Sequence, residues 1–300
     1  MKHAMMKLMT AMLLASMLLT PLASLSALAA LPERVEKKSD LVVHQNGKAK
    51  IDASNVSEGY VSIAYTGGQN VRIKARIQKS GGTDYTYDLN NTGVAETFPI
   101  TEGDGSYTIT VFENISGTKY AQAYTCTVQV TLRNPYLPYL YPNQYVNYNL
   151  ETRVVLQAAE LAAGKEDKLQ IIDSVYKWVT ANFTYDTHLA TTVQSGYLPN
   201  LDLIFEKKAG ICFDYASVMT AMLRSQGIPC KLVIGYAGEA YHAWINVYID
   251  GMGWLDEWIY FDGVNWNLMD PTFASSLGTA SDSLKNYIGD GTNYTSKYAY

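Results

Sequence analysis

The sequence predicts a small all-β sandwich followed by an α+β domain. Three observations carry this reading. Apolar residues recur with period two from about residue 41 to 132, the period becomes helical after residue 150, and strands return beyond residue 230 without βαβ alternation. At 300 residues and 48% hydrophobic content, the chain is long enough for one large or two ordinary domains with real cores.

The first segment belongs to neither unit. Lys2 and Lys7 precede an apolar run from Leu8 to Leu19, and Thr20-Pro21 and small residues then lead to Ala27-Leu28-Ala29. That is the pattern of a secretory signal peptide with an A-x-A-type cleavage site, so residues 1–29 are read as a leader. An uncleaved anchor is disfavoured, because Pro21 and several serines interrupt the run before the roughly 20 residues a span needs. No cysteine lies near the cleavage site, which argues against a lipoprotein. A secreted or cell-surface protein is expected, with no membrane insertion after cleavage. Losing Lys2 and Lys7 leaves 21 basic (23 − 2) against 28 acidic residues, a formal charge of −7. This disfavours nucleic acid as a partner and leaves no polybasic segment for an anionic membrane surface. Cys126, Cys212 and Cys230 make an odd set, so at least one thiol is unpaired within the chain and no disulfide scaffold is expected.

Residues 30–133 are read as the sandwich. Its strand signals are Val61, Ile63 and Tyr65; Val71, Ile73, Ala75 and Ile77; Tyr85, Tyr87 and Leu89; Tyr107, Ile109 and Val111; and Tyr124, Cys126, Val128 and Val130. Turn formers such as Thr66-Gly67-Gly68, Ser80-Gly81-Gly82 and Ser116-Gly117 separate them, which is the spacing of a small immunoglobulin-like domain. Cys126, in phase with Tyr124 and Val128, is expected to be a buried core thiol. "NPYLPYLYPNQYVNY", within residues 134–149, has three prolines and five tyrosines and suits neither helix nor central strand. It is read as a semi-rigid linker whose tyrosines pack between the two units.

Residues 150–300 form the second domain. Val154, Ala158, Leu161 and Ala162 mark one helix. Ile171, Ile172, Val175, Trp178 and Val179, after an Asp167 N-cap, mark another. Cys212, Ala216, Met219 and Leu223 mark a third, ended by Gly227 and Pro229. Strands are expected at "CKLVIGYA", "YHAWINVYI", "WLDEWIYF" and "VNWNLMD". The tail from Ala274 to Tyr300 is expected to close over the core.

Cys212 starts its helix, so the macrodipole's positive end lies beside the sulfur and favours thiolate over thiol. The helix-start amides are also potential oxyanion donors, and Gly210 lets the chain turn close to a substrate. A nucleophile there needs a base. Of the histidines beyond the leader, His44 lies at the sandwich edge and His188 follows a loop-like segment, whereas His242 opens a strand and shares a face with Trp244 and Asn246. The orienting carboxylate is Asp270, at the end of "VNWNLMD" before Pro271. If the strands of His242 and Asp270 pair antiparallel, these residues become neighbours. A plain three-strand meander would separate them, so residues 252–263 are expected to be an excursion beside the sheet. Trp254, Trp258 and Tyr260 on that excursion are candidate cleft walls. Tyr185, Gln194 and the Trp244 indole are candidate oxyanion donors. A zinc site at Cys212 and His242 is argued against by the lack of a second close Cys or His.

"GICFDYASVMTAMLRSQGIPCKLVIGY", then "HAW", then "MDPT", resembles the transglutaminase-like superfamily over about residues 150–275. The resemblance implies a papain-like core with Cys212 as nucleophile, His242 as base and later acid, and Asp270 as orienter. The interval between "HAW" and "MDPT" is longer than the family pattern and leaves the shape of one cleft wall open. Nothing matches the calcium-binding apparatus of large animal transglutaminases, so no metal or cofactor is expected. Protein, peptide or cell-wall peptide substrates are expected, with hydrolysis favoured over cross-linking. The competing class is a catalytically silent binding or structural module at the cell surface.

Overall fold

The computed structural model describes residues 40–255, 260–261, 266–267 and 294–300. The expected leader, Asp270 and Trp258 lie outside the described residues.

The first unit has eight strands: β1 (Val43–Gln45), β2 (Ala49–Asp52), β3 (Tyr60–Tyr65), β4 (Ile73–Lys79), β5 (Asp84–Leu89), β6 (Glu96–Pro99), β7 (Gly105–Ser116) and β8 (Lys119–Val130). They form two four-stranded antiparallel sheets, ordered β1-β2-β3-β6 and β5-β4-β7-β8, an arrangement compatible with an immunoglobulin-like sandwich. Strand β4 shows the cause: Ile73, Ala75 and Ile77 are buried, while Lys74, Arg76 and Gln78 on the other face are not. Tyr87 of β5 meets Phe98 of β6 at 4.7 Å, tying the two sheets together. Cys126 is in the expected phase but only half-buried, because β8 is an outer strand. Its burial still pushes the thiol up to about 11.

The proline-rich segment is a packed seam. Leu137, Tyr139, Leu140, Val146 and Tyr148 are buried. Gly59 has φ +90, and a side chain there would strike the Pro138 ring, so the seam closes on the sandwich through a glycine. On its other side the Tyr145 carbonyl accepts the Ser217 hydroxyl at 2.9 Å.

The second unit contains α1 (Arg153–Ala162), α2 (Lys168–Asn182), α3 (Thr187–Thr192), α4 (Leu201–Lys207) and α5 (Cys212–Ser225). Asp167 caps α2 as expected, accepting from the Leu169 amide at 2.9 Å. Strands β11 (Cys230–Ala237), β12 (Ala240–Ile249), β13 (Gly253–Leu255) and β16 (Tyr294–Ala299) form a sheet ordered β13-β12-β11-β16. Helix α5 packs across β11 and β12 with α1 and α2 against it, so Asp214 to Ser225 are buried all round. Of the tail, Tyr294–Ala299 join the sheet as an edge strand on β11.

Residues 252–263 only partly form the expected excursion. Gly253–Leu255 turn back as a hairpin on β12, pairing with Val247–Ile249, because the Asp250-Gly251 turn keeps them in register with the strand they leave. Two short strands, β14 (Tyr260–Phe261) and β15 (Trp266–Asn267), pair with each other in a separate ribbon.

One lysine is held by several aromatic rings at once. Lys208, at φ 51, ends α4 and sets its ammonium 3.4 Å from the Phe205 ring centre and 4.3 Å from that of Trp178. Lys208→Met keeps most of the stem and removes the charge. It is expected to cost about 1–2 kcal/mol in urea unfolding, and an unchanged midpoint would assign the contact to packing alone.

Candidate active site

Helix α5 begins where a two-residue strand delivers it. β10 (Ala209–Gly210) pairs parallel with β9 (Thr184–Tyr185), and the Asp186 amide donates to the Gly210 carbonyl at 2.9 Å. This pairing carries Tyr185 from the end of α2 to a place beside Cys212. Gly210 is extended rather than left-handed. Its glycine is required because a Cβ there would lie 2.6 Å from that of Asp214.

Asp214 is fully buried in the first turn of α5. Its carboxylate accepts the Ile211 amide at 2.9 Å and the Tyr197 hydroxyl at 2.8 Å, tying the turn before Cys212 to the loop after α3. Burial raises its pKa, and the two hydrogen bonds oppose that rise. The first backbone bonds of the helix start at the Asp214 and Tyr215 amides, both donating to the Ile211 carbonyl at 2.9 and 3.1 Å. The Cys212 and Phe213 amides precede them and have no helical acceptor.

Cys212 is half-buried and His242 is 7% exposed, and both line one cleft of about 600 Å³. The imidazole stands on β12 opposite Gly235 of β11 and stacks over Trp244 at 6.3 Å, with Tyr294 of β16 edge-on at the same distance. Gly235 has no room for a side chain. β16 passes so close at a register shift that a Cβ would overlap the Thr295 carbonyl, and the Trp244 ring lies 2.9 Å away. The sequence reading missed Gly235, whose signal was a glycine inside a strand that otherwise reads as β-branched.

Of the cleft candidates, Tyr185 and Gln194 line the cavity. Gln194 donates its side-chain amide to the Thr192 carbonyl at 2.8 Å. Trp244 is 2% exposed and sits behind the imidazole, so it supports His242 rather than facing the cavity. Trp254 is not at the cleft. The β12–β13 hairpin carries it to the seam, where it meets Tyr139 at 5.0 Å and Lys231 caps its ring at 3.9 Å. His188 is exposed on α3, a short helix where a loop was expected. Cys230 is fully buried, and burial pushes its thiol up to about 11.

The sandwich supplies part of the wall: Lys74, Thr86 and Asp88 line the same cavity, with the Lys74 ammonium 2.6 Å from the Asp88 carboxylate. No group of three or more metal-ligating side chains occurs among the described residues. None of their helices is long and apolar enough to cross a membrane.

A cysteine at the start of a central helix and a histidine on the sheet packed against it line one cleft, the arrangement expected of a transglutaminase-like domain. Residues 157–271 match the model of the transglutaminase-like superfamily. The chain is 26% identical over 42% of its length to the uncharacterized protein YebA of Bacillus subtilis, covering 20% of that protein. It is 28% identical over 31% of its length to a protein-glutamine gamma-glutamyltransferase of Pseudomonas aeruginosa, covering 14% of it. It is also 24% identical over 43% of its length to the mouse kyphoscoliosis peptidase, covering 19% of it. The matches thus span a fifth or less of each of these relatives. The red sea bream transglutaminase structure overlays 85% of this chain on 55% of its own, at 13% identity and a TM-score of 0.31.

Proposed function

We propose that this protein is an exported cysteine enzyme that cleaves or transfers amides of peptides or cell-envelope polymers. The Cys212 sulfur adds to the amide carbon, His242 gives the departing nitrogen its proton, and a thioester and a free amine result. Water then releases an acid, or a lysine amine releases a new amide. Asp270 orients the imidazole. The Cys212 and Phe213 amides donate to the oxyanion. The observation that carries the reading is a half-buried thiol at the amide-rich start of α5, lining one cleft with a buried histidine. Two relatives named for amide chemistry, a transferase and a peptidase, support acyl transfer without choosing the acceptor. Water is always present, which favours hydrolysis.

The test is iodoacetamide labelling of each cysteine in the folded protein between pH 6 and 9. With their thiols pushed up to about 11, Cys126 and Cys230 carry roughly one thiolate in ten thousand at pH 7. Cys212 is expected to label at least about a hundredfold faster than either, and to lose that lead in His242→Ala. A Cys212 no faster than the other two, or indifferent to His242→Ala, would leave the cleft as a binding surface without catalysis.

A further inference from the structure

The sandwich meets the cleft through β5, an outer strand of its sheet. Which backbone groups β5 leaves free follows from its neighbour. The Asn114 amide donates to the Arg72 carbonyl and the Ser80 amide to the Ser106 carbonyl, so even-numbered positions along β4 serve β7 and odd-numbered ones serve β5. The pairs Ile73↔Leu89, Ala75↔Tyr87 and Ile77↔Tyr85 then commit Tyr85, Tyr87 and Leu89 to β4. Asp84, Thr86 and Asp88 turn their amides and carbonyls outward. The Asp88 carbonyl accepts from the Gln144 side chain. At Thr86 no described residue meets the outward amide or carbonyl.

Edge strands with unmet backbone groups are ordinarily covered, shortened or bent away, because they recruit another strand. Here the open edge borders the cavity that holds Cys212 and His242, since Thr86 and Asp88 line it too. We propose that the free edge of β5 is a docking rail on which an extended polypeptide pairs as an added strand, with a neighbouring amide held at Cys212. This rests on the reading of Cys212 as the acyl-accepting thiol. Backbone pairing supplies affinity without regard to side chains, and alternate side chains supply preference. On the face beside the edge, Lys74 pairs with Asp88 and Arg76 lies opposite Thr86, whereas Asp84 is exposed opposite the neutral Gln78 and leaves an acidic end to the rail. A docked strand carrying Lys or Arg opposite Asp84 gains from the cross-strand pair. The occupant is therefore an extended, basic stretch of ordinary polypeptide. Stem peptides with alternating chirality, which cannot keep the pleat, fit poorly.

The decisive variant is Thr86→Pro. Its missing amide is the outward one, so the ladder to β4 stays intact while the rail loses its donor. The probes are fluorescein-labelled peptides of about ten residues, alternating threonine with lysine or threonine with glutamate, titrated by anisotropy into full-length Cys212→Ala protein. The lysine peptide is expected to bind at least about tenfold more tightly than the glutamate peptide, and to lose about tenfold or more in Thr86→Pro. Asp84→Lys, on the exposed face, is expected to invert the preference, which keeps the test open if the proline variant fails to fold. Absence of binding, or equal binding by the parent and both variants, overturns the rail. Failure of the catalytic reading shows instead as a slow Cys212 in wild type, whatever the peptides do.

Discussion

Arg224→Ala is expected to lower the free energy of unfolding by about 4 kcal/mol, read from urea melts followed by helical circular dichroism. Arg224 is fully buried in the last turn of α5. Its guanidinium donates to the Cys230 carbonyl at 2.9 Å, the Tyr141 carbonyl at 2.7 Å and the Tyr300 carbonyl at 2.6 Å. One side chain thus joins α5 to β11, to the seam and to the segment after β16. Removing it leaves a cavity and strips three buried carbonyls of charge-assisted donors, each worth about 1.5–3 kcal/mol. The cost of desolvating the cation, which also lowers its pKa, offsets part of that sum. Arg224→Lys is expected to recover only part of the loss, because one ammonium cannot reach three carbonyls in a fork. A loss below about 1 kcal/mol in Arg224→Ala would mean that the three elements hold together without it.

Asp270→Asn is expected to reduce turnover by about ten-thousandfold on any amide the protein cleaves, with little change in KM. A buried imidazole beside a thiol must present its lone pair to the sulfur and keep its proton on the far nitrogen. A carboxylate selects that tautomer and stabilises the imidazolium that forms, whereas an amide can select the other. Iodoacetamide should still find Cys212, because the thiol itself is unchanged. Turnover within about tenfold of wild type would assign the orienting role to another group.

Much of the second unit was legible because its signals are local. Asp167 announces the start of α2 through its own side chain, and β11 spans the predicted "CKLVIGYA" because eight residues of strand pattern end at Gly238. α3 and α4 were missed, since six- and seven-residue helices show too few turns for a periodic stripe. Trp254 was assigned to the wrong wall because a tryptophan in a strand does not declare which edge its hairpin will take.

The sequence by itself determined the order of the elements, the thiol at a helix start and the histidine at a strand start. These follow from periodicity, caps and turns that act within a few residues. Only the tertiary structure decided that Cys212 and His242 line one cleft, that Asp214 ties the helix start to Tyr197, and that a sandwich strand forms part of the wall. Each of those facts joins residues far apart in the chain, or placed by a sheet edge or a glycine contact. Such contacts are chosen by the packing of whole elements, and no local pattern encodes them.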